Sequence, residues 1–333
     1  MATTNAISDD EGVVYKKTIG NYFVHVQGRT IPCTISNRLR KEMVYPTAAT
    51  SSLPHRVRQV KELDHSDPIA VGDVVRWIDA GSGSGQIVAI LPRRNRLARR
   101  GAVPRPGAHA FEQVVAANLD LVMPIMAAAN PAPHWNVLDR YLASAESFDL
   151  PSLVCINKVD LAGGSKIHII VEEYRRIGYP VLLVSASTGE GIAELRDALR
   201  GKVTVFTGKS GVGKTSLLNA LQPDLGQRVN AVNQATGKGR HTTTGLEMFP
   251  LAGGGAVLDT PGMREYGLWD VDPHELDMLF PEMRPLVGSC RFGLDCRHDE
   301  EPGCAVRQAV MAGQINPRRY KSYLRLCEDG GMP

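Results

Sequence analysis

Residues 208–215 read Gly-Lys-Ser-Gly-Val-Gly-Lys-Thr, a complete Gly-x-x-x-x-Gly-Lys-Thr phosphate-binding pattern. Phosphate chemistry explains each residue type. Glycines let backbone N–H groups turn inward around phosphate oxygens, and a helix start adds partial positive charge at the same point. Lys214 would reach the β- and γ-phosphates, and the Thr215 hydroxyl would bind Mg²⁺. Gly208, Lys209, Ser210, Gly211, Val212, Gly213 and Ser216 complete the cradle. The flanks agree. Val203 to Thr207 reads as a buried strand, and Ser216 to Leu221 as a helix with an apolar face. A chance glycine-rich turn would not bring these flanks with it.

A phosphate loop does not say which base is bound. Asn157-Lys158-Val159-Asp160 follows an apolar run, Leu153 to Ile156. An Asp carboxylate can accept from both guanine N1–H and the exocyclic amine, and adenine offers no such pair of donors. Asn157 would orient the base edge, and the Lys158 stem would pack on the ring face. A second apolar run, Pro180 to Val184, ends in Ser185-Ala186, where the Ala186 N–H can meet guanine O6. A third, Gly255 to Leu258, ends in Asp259-Thr260-Pro261-Gly262. Asp259 would hold Mg²⁺ through water, and the Gly262 N–H would sense the γ-phosphate.

The base-reading pieces come before the phosphate loop in the chain, whereas ordinary GTPases run the other way. The sequence therefore resembles a circularly permuted GTPase, a parallel sheet reopened at a surface loop. The γ-phosphate-sensing segment then leads directly into the C-terminal region.

Other elements must position these loops. The chain has 333 residues, 43% of them hydrophobic, and a net charge of +3, so it predicts two or three domains and no uniformly basic surface. Residues 1–12 are polar, without a signal-peptide core, and are expected to be disordered. The longest apolar run, Leu121 to Ala129, is too short for a membrane span, so a cytoplasmic location is expected. Disulfides are disfavoured there.

From residue 13 short strands dominate: Val13–Tyr15, Tyr22–Val26, Thr30–Thr34, Gly72–Trp77 and Gly85–Ile90. They predict a small barrel, an OB-fold over 13–105, with an extended loop at 46–68. An SH3-like barrel is the alternative. Six arginines fall within residues 92–105, and Arg93, Arg94, Arg96, Arg99 and Arg100 are candidate RNA contacts beside such a barrel. A solvated linker is the bland reading of the same run. Strands alternating with helices then predict a parallel α/β nucleotide domain over 106–270. The helices are Trp135 to Phe148, Ile167 to Ile177 and Ile192 to Leu199; Asp120 to Met126 is the first strand, with Pro124 arguing against a central position.

Residues 225–246 carry no apolar period and lie where switch I belongs, with Thr243 the candidate Mg²⁺ ligand. The position that usually carries a water-orienting Gln is Met263, so intrinsic turnover should be slow, and His241 is the candidate to orient the water instead. Over 271–333, Cys290, Cys296, His298 and Cys304 form a Cys₃His set within fifteen residues, suited to structural zinc. Cys33, Cys155 and Cys327 stand alone and read as core thiols. Pro317 to Glu328 reads as a helix with one basic face from Arg318, Arg319, Lys321 and Arg325.

Taken jointly, these motifs resemble the ribosome small subunit-dependent GTPase A family (RsgA/YjeQ) across nearly the whole chain. Val71-Gly72-Asp73, Arg-His-Thr-Thr-Thr at 240–244, Asp-Thr-Pro-Gly-Met-Arg at 259–264 and the Cys-Arg-His and Glu-Pro-Gly-Cys runs carry the resemblance. It implies an N-terminal OB domain, a central permuted GTPase and a C-terminal helical zinc domain. It also implies action late in maturation of the small ribosomal subunit, with the subunit and its rRNA as partners and GTP hydrolysed to GDP. A histidine at the His241 position is thought to serve catalysis in that family. One departure is local: the family has four residues between its first two zinc cysteines, and here there are five. A monomer without a membrane partner is expected. Two other classes remain: an RNA-binding adaptor with a structural nucleotide domain, and a metal-insertion or transport GTPase.

Overall fold

The computed structural model describes residues 10–18, 20–44, 69–100, 112–163, 166–223, 225, 246–259 and 273–328. The chain divides into two compact units, one drawn from residues 1–119 and 235–249, the other from 120–234 and 250–333.

The first unit holds a closed five-stranded barrel in the order β1-β2-β3-β5-β4, built from β1 (Glu11–Thr18), β2 (Asn21–Val26), β3 (Arg29–Ile35), β4 (Val74–Gly81) and β5 (Ser84–Ile90). β1 pairs antiparallel with β2 and β4, and β3 pairs parallel with β5. That closure is OB-like and decides against the SH3-like alternative. Alternate residues Val14, Val24, Cys33, Val75 and Ile87 fill the interior. A short helix, α1 (Asn37–Val44), follows β3, where the sequence assigned no element; the loop expected at 46–68 lies outside the described residues.

After the barrel, the structure describes residues 92–100 of the arginine run. Residues Arg96–Arg100 form β6, which pairs antiparallel with β7 (Glu112–Ala117). Arg93 turns toward the barrel, with Nε 2.6 Å from Asp73 Oδ1 and Nη2 2.8 Å from Oδ2. Asp73 is fully buried and also accepts the Ala70 N–H at 2.7 Å. Nearby, a Cβ at Gly72 would meet the Ala117 carbonyl oxygen at 2.1 Å, so this position requires glycine.

The second unit is built on parallel strands in the order β10-β9-β8-β11-β13: β8 (Leu121–Ala127), β9 (Val154–Asn157), β10 (Val181–Leu183), β11 (Val203–Thr207) and β13 (Ala256–Asp259). The short β12 (Met248–Pro250) falls where the chain passes between the units. β8 is central, so Pro124 does lie inside the sheet, contrary to the sequence expectation. The β8–β9 ladder absorbs it. A bridge joins Val122 to Ser152, and regular pairing resumes in the same register at Ile125 and Cys155. The proline falls in this gap on the β9 side, while on the other side it stays in register with Thr207 of β11.

Helices α2 (Trp135–Glu146), α3 (Lys166–Ile177), α4 (Ile192–Leu199) and α5 (Lys214–Leu221) connect the strands. α2 is buried on two sides. Leu138 and Leu142 pack with Val154, Ile156, Val171 and Tyr174, whereas Ala143 belongs to a second core with Leu276, Phe280, Met283, Val306, Tyr323 and Leu326. That second core is the C-terminal region, made of 3-10 turns at Pro273–Leu279, Arg284–Leu286 and Gly293–Asp295 and the helices α6 (Ala305–Met311) and α7 (Pro317–Glu328).

The basic face expected on α7 is a correction. Arg318 and Arg319 point inward, at 25% and 1% side-chain exposure, and engage acids on other elements. Lys321 and Arg325 remain on the exposed side. No helix among the described residues is long and apolar enough to cross a membrane.

Candidate functional site

In a parallel sheet the carboxyl ends of the strands share one edge, and ligands bind there. β9 ends at Asn157, β10 leads into Val184-Ser185, β11 ends at Thr207 immediately before Gly208, and β13 ends at Asp259 beside Phe206 of β11. Chain reordering therefore leaves the spatial arrangement of the motifs intact.

The phosphate loop needs its glycines. Gly208, Gly211 and Gly213 have φ of 157°, 83° and 94°, and a Cβ at Gly208 would lie 2.5 Å from the Ile125 carbonyl oxygen. Gly213 is the N-cap of α5, so Lys214 and Thr215 open that helix. Lys214 Nζ donates to the carbonyls of Gly208 at 2.6 Å and Lys209 at 3.3 Å, curled over its own loop. Val212 is buried, and Lys209, Ser210 and Ser216 are exposed.

Asn157 and Lys158 fasten the base-reading loop to the phosphate loop. The Asn157 amide donates to the Val212 carbonyl at 2.9 Å, and its oxygen accepts the Ala186 N–H at 3.2 Å. Asn157 is 1% exposed, so it acts as an internal bracket among three loops rather than as a group facing the base. The Ala186 N–H, expected at guanine O6, is held by this bracket. Lys158, at φ 62°, donates to the Gly211 carbonyl at 2.7 Å and to that of Asn130. The Val159 N–H meets the Val184 carbonyl at 3.3 Å.

Asp160 is exposed, and its carboxylate is set by hydroxyls: Ser185 Oγ donates to Oδ1 at 2.6 Å, and Ser187 Oγ lies 3.2 Å from Oδ2. The Ser185 hydroxyl, with help from its other neighbours, holds the Asp160 carboxyl below the usual range. The Asp259 side chain, His241, Thr243 and Gly262 lie outside the described residues, as do the side chains of Arg99 and Arg100.

The C-terminal cluster is closed. Ligand atoms of Cys290, Cys296, His298 and Cys304 all lie within 4.8 Å of one another, and all four residues are buried. Cys290 Sγ is 3.8 Å from Cys304 Sγ, and His298 Nδ1 is 3.4 Å from each of those sulfurs. A tetrahedron with metal–sulfur bonds of ~2.3 Å has edges of about 3.8 Å. The group could thus hold a metal ion. The segment between the first two cysteines contains the 3-10 turn Gly293–Asp295, where Gly293 has φ 57°.

Three supports were not legible in the sequence. His298 Nε2 lies 3.1 Å from Asp277 Oδ2, a carboxylate behind the imidazole that fixes which nitrogen faces a metal. Tyr320 donates to the His298 carbonyl at 2.5 Å, and Tyr323 to that of Arg297 at 2.9 Å, so α7 grips the ligand loop. N–H groups of Ala305 and Arg307 point at the sulfurs of Cys290 and Cys304, at 3.2 and 3.4 Å.

A family model described as RsgA GTPase matches residues 90–269. A protein of Gemmatimonas aurantiaca named small ribosomal subunit biogenesis GTPase RsgA is 40% identical over 319 residues, covering 96% of each chain. One of the same name from Pseudomonas aeruginosa is 45% identical over 258 residues, 77% of this chain and 74% of that one. Among solved structures, YjeQ from Thermotoga maritima is similar with TM-score 0.71 and 30% identity, covering 96% of this chain and 98% of that one. YloQ, described as a circularly permuted GTPase, is similar with TM-score 0.68 and 27% identity, covering 99% and 97%.

Proposed function

The chain belongs to the RsgA GTPase family, and on that premise we propose that it is a GTP hydrolase acting in maturation of the small ribosomal subunit, with turnover stimulated by that subunit. The observation that supports the nucleotide reading is that Asn157 and Lys158 hydrogen-bond directly to Val212 and Gly211 of the phosphate loop, while Ser185 bonds Asp160 of the same 157–160 motif. A nucleotide domain kept only as scaffold would not need an exposed, doubly hydrogen-bonded carboxylate beside that loop.

In this reading Asp160 selects guanine with both oxygens, the 208–216 cradle binds phosphates, and Lys214 leaves its carbonyl partners for phosphate oxygens. Thr215, Thr243 and Asp259 are the residues to hold Mg²⁺, which supplies charge neutralisation at the phosphates when bound. Gly262 senses the γ-phosphate, and His241 orients the attacking water.

The four-residue cluster takes zinc. Three thiols and one imidazole suit that ion, and the Asp277–His298 pair is the support a zinc-bound imidazole commonly has. Its role is structural, because a closed Cys₃His set leaves no position for substrate. Contacts to rRNA are assigned to the barrel unit and to the arginines that follow it. Arg93 is the exception, since its guanidinium is committed to Asp73.

The test is GTP turnover with and without purified small subunits. Stimulation supports the proposal; equal rates favour the adaptor reading.

A further inference from the structure

The second carboxylate oxygen of Asp160 has a partner that the base-reading motif does not call for. Ser187 is exposed, and its Oγ lies 3.2 Å from Asp160 Oδ2 and 2.9 Å from Ser185 Oγ. Each hydroxyl has one proton to give. Ser185 uses its proton in the 2.6 Å bond to Asp160 Oδ1, so Ser187 must be the donor between the two serines. The single Ser187 proton therefore has two acceptors within reach, Ser185 Oγ and Asp160 Oδ2.

The backbone keeps Ser187 in that place. Ser185 accepts the Thr188 N–H on its Oγ at 3.2 Å and the Gly189 N–H on its carbonyl at 2.9 Å, and its own N–H donates to the Glu190 carbonyl at 2.9 Å. This turn is closed at both ends, and Ser187 stands at its tip.

A carboxylate torsion is broad, with no sharp rotamer wells. Held at one oxygen by Ser185, the group can still tilt about that contact. Held at both, its plane is set before a base arrives. We infer that Ser187 is a positioning residue for guanine recognition, fixing the Asp160 carboxylate so that both oxygens meet the two donors of the base edge together. This inference rests on the GTP-binding reading of the loop proposed above. Each carboxylate oxygen has two acceptor sites, so Oδ2 can take a guanine N–H and keep the Ser187 proton. The lowered carboxyl of Asp160 is consistent, with the Ser185 hydroxyl the largest cause and the Ser187 hydroxyl a smaller one.

The competing explanation is that Ser187 is an ordinary polar turn residue. Inosine triphosphate separates the two, because its base keeps the ring N–H and lacks the exocyclic amine, and so engages only one carboxylate oxygen. Affinities for GTP, inosine triphosphate and ATP would be titrated with the full chain as wild type, Ser187→Ala and Ser187→Thr. The wild type should prefer GTP over both other nucleotides. Ser187→Ala should lose about fivefold in GTP affinity and less for inosine triphosphate, so that the GTP preference narrows. Ser187→Thr, which keeps the hydroxyl, should restore it. The acid limb of GTP binding should also move to higher pH in Ser187→Ala. Equal losses for both nucleotides, or no loss, would overturn the positioning role while leaving the guanine loop standing. A wild type without preference for GTP would overturn the guanine assignment itself, and this inference with it.

Discussion

Arg319 and Asp139 form a fully buried ion pair, Nη1 to Oδ1 at 2.9 Å, across 180 residues of chain. Asp139 lies on α2 of the nucleotide-binding fold and Arg319 on α7, the last helix described. The same carboxylate accepts from Arg318 at 3.0 Å, Tyr174 at 2.6 Å and Ser322 at 2.6 Å, and Arg319 also meets both oxygens of Glu282 at 2.7 and 3.0 Å. The Arg319 guanidinium further lies 4.7 Å from the centre of the Phe280 ring. The C-terminal region is thus locked to α2 by charge as well as by the core that Ala143 shares.

Removing Asp139 takes from the buried Arg319 one of its two carboxylate partners, leaving Glu282, and takes from Tyr174 and Ser322 the acceptor they share. Asp139→Ala should destabilise the second unit by about 3 kcal/mol, which chemical denaturation can read. A loss under 1 kcal/mol would mean that water reaches Arg319. The nucleotide-binding part therefore does not have a core wholly separate from the metal-binding part, as a reading of the sequence by domains would suggest.

That coupling marks where the sequence stops being legible. Loops whose chemistry is set by spacing, 208–216, 157–160, 185–186 and the Cys₃His set, could be located in the sequence, because ligand chemistry demands those types in that order, but the bracket that Asn157 makes with Val212 and Ala186 could not. Arg318 and Arg319 could not. Helical periodicity shows that they share a face, but whether that face meets water or an acid depends on Asp139, Glu173 and Glu282, which are distant in sequence. Pro124 misled for a similar reason, since a proline is tolerated in a central strand if the neighbouring ladder is interrupted beside it. The OB-like barrel was foreseen from strand spacing, whereas α1 was not, because its eight residues, Asn37–Val44, are too few to display a helical period.

The carboxylate behind the metal ligands gives a second test. Asp277→Asn leaves all four ligand atoms in place and weakens only the acceptor at His298 Nε2. Zinc affinity, measured by chelator competition, should fall about 10- to 100-fold, whereas Cys304→Ser should abolish stoichiometric binding. Purified protein without zinc, prepared free of chelators, would remove the metal assignment.

Arg93 and Arg96 should behave differently, although both belong to the same basic run. Arg93→Ala leaves Asp73 buried with, among the described residues, only the Ala70 N–H donating to its carboxylate, and should cost about 3 kcal/mol of stability in the barrel unit. Arg96 is exposed, so Arg96→Ala should cost less, within the ~1 kcal/mol of a surface contact. If Arg96 meets a phosphate, the same change lowers the salt slope of subunit binding by about one. A stable Arg93→Ala with a reduced salt slope would reverse these roles.

Acid sensitivity of nucleotide binding follows from Asp160. Its folded carboxyl is depressed, so its hydrogen bonds are present above the ordinary carboxylate pKa and are lost as pH falls through the lower, folded value. GTP affinity should therefore persist through pH 4, about where an unperturbed Asp titrates, provided that the fold survives, and weaken only below it. Asp160→Asn should lose on the order of 10²-fold in GTP affinity at neutral pH. Retention of full affinity would move guanine recognition elsewhere.

The most direct measurement is single-turnover GTP hydrolysis with and without saturating small ribosomal subunits, for the wild type and His241→Ala. Met263 replaces the usual water-orienting Gln, so the wild type alone should turn over at roughly 10⁻³ s⁻¹ and be accelerated by the subunit. His241→Ala should still bind the subunit in the GTP state and lose most of that acceleration. A wild-type rate that the subunit leaves unchanged would contradict a subunit-stimulated GTPase, and a fully accelerated His241→Ala would contradict the catalytic histidine.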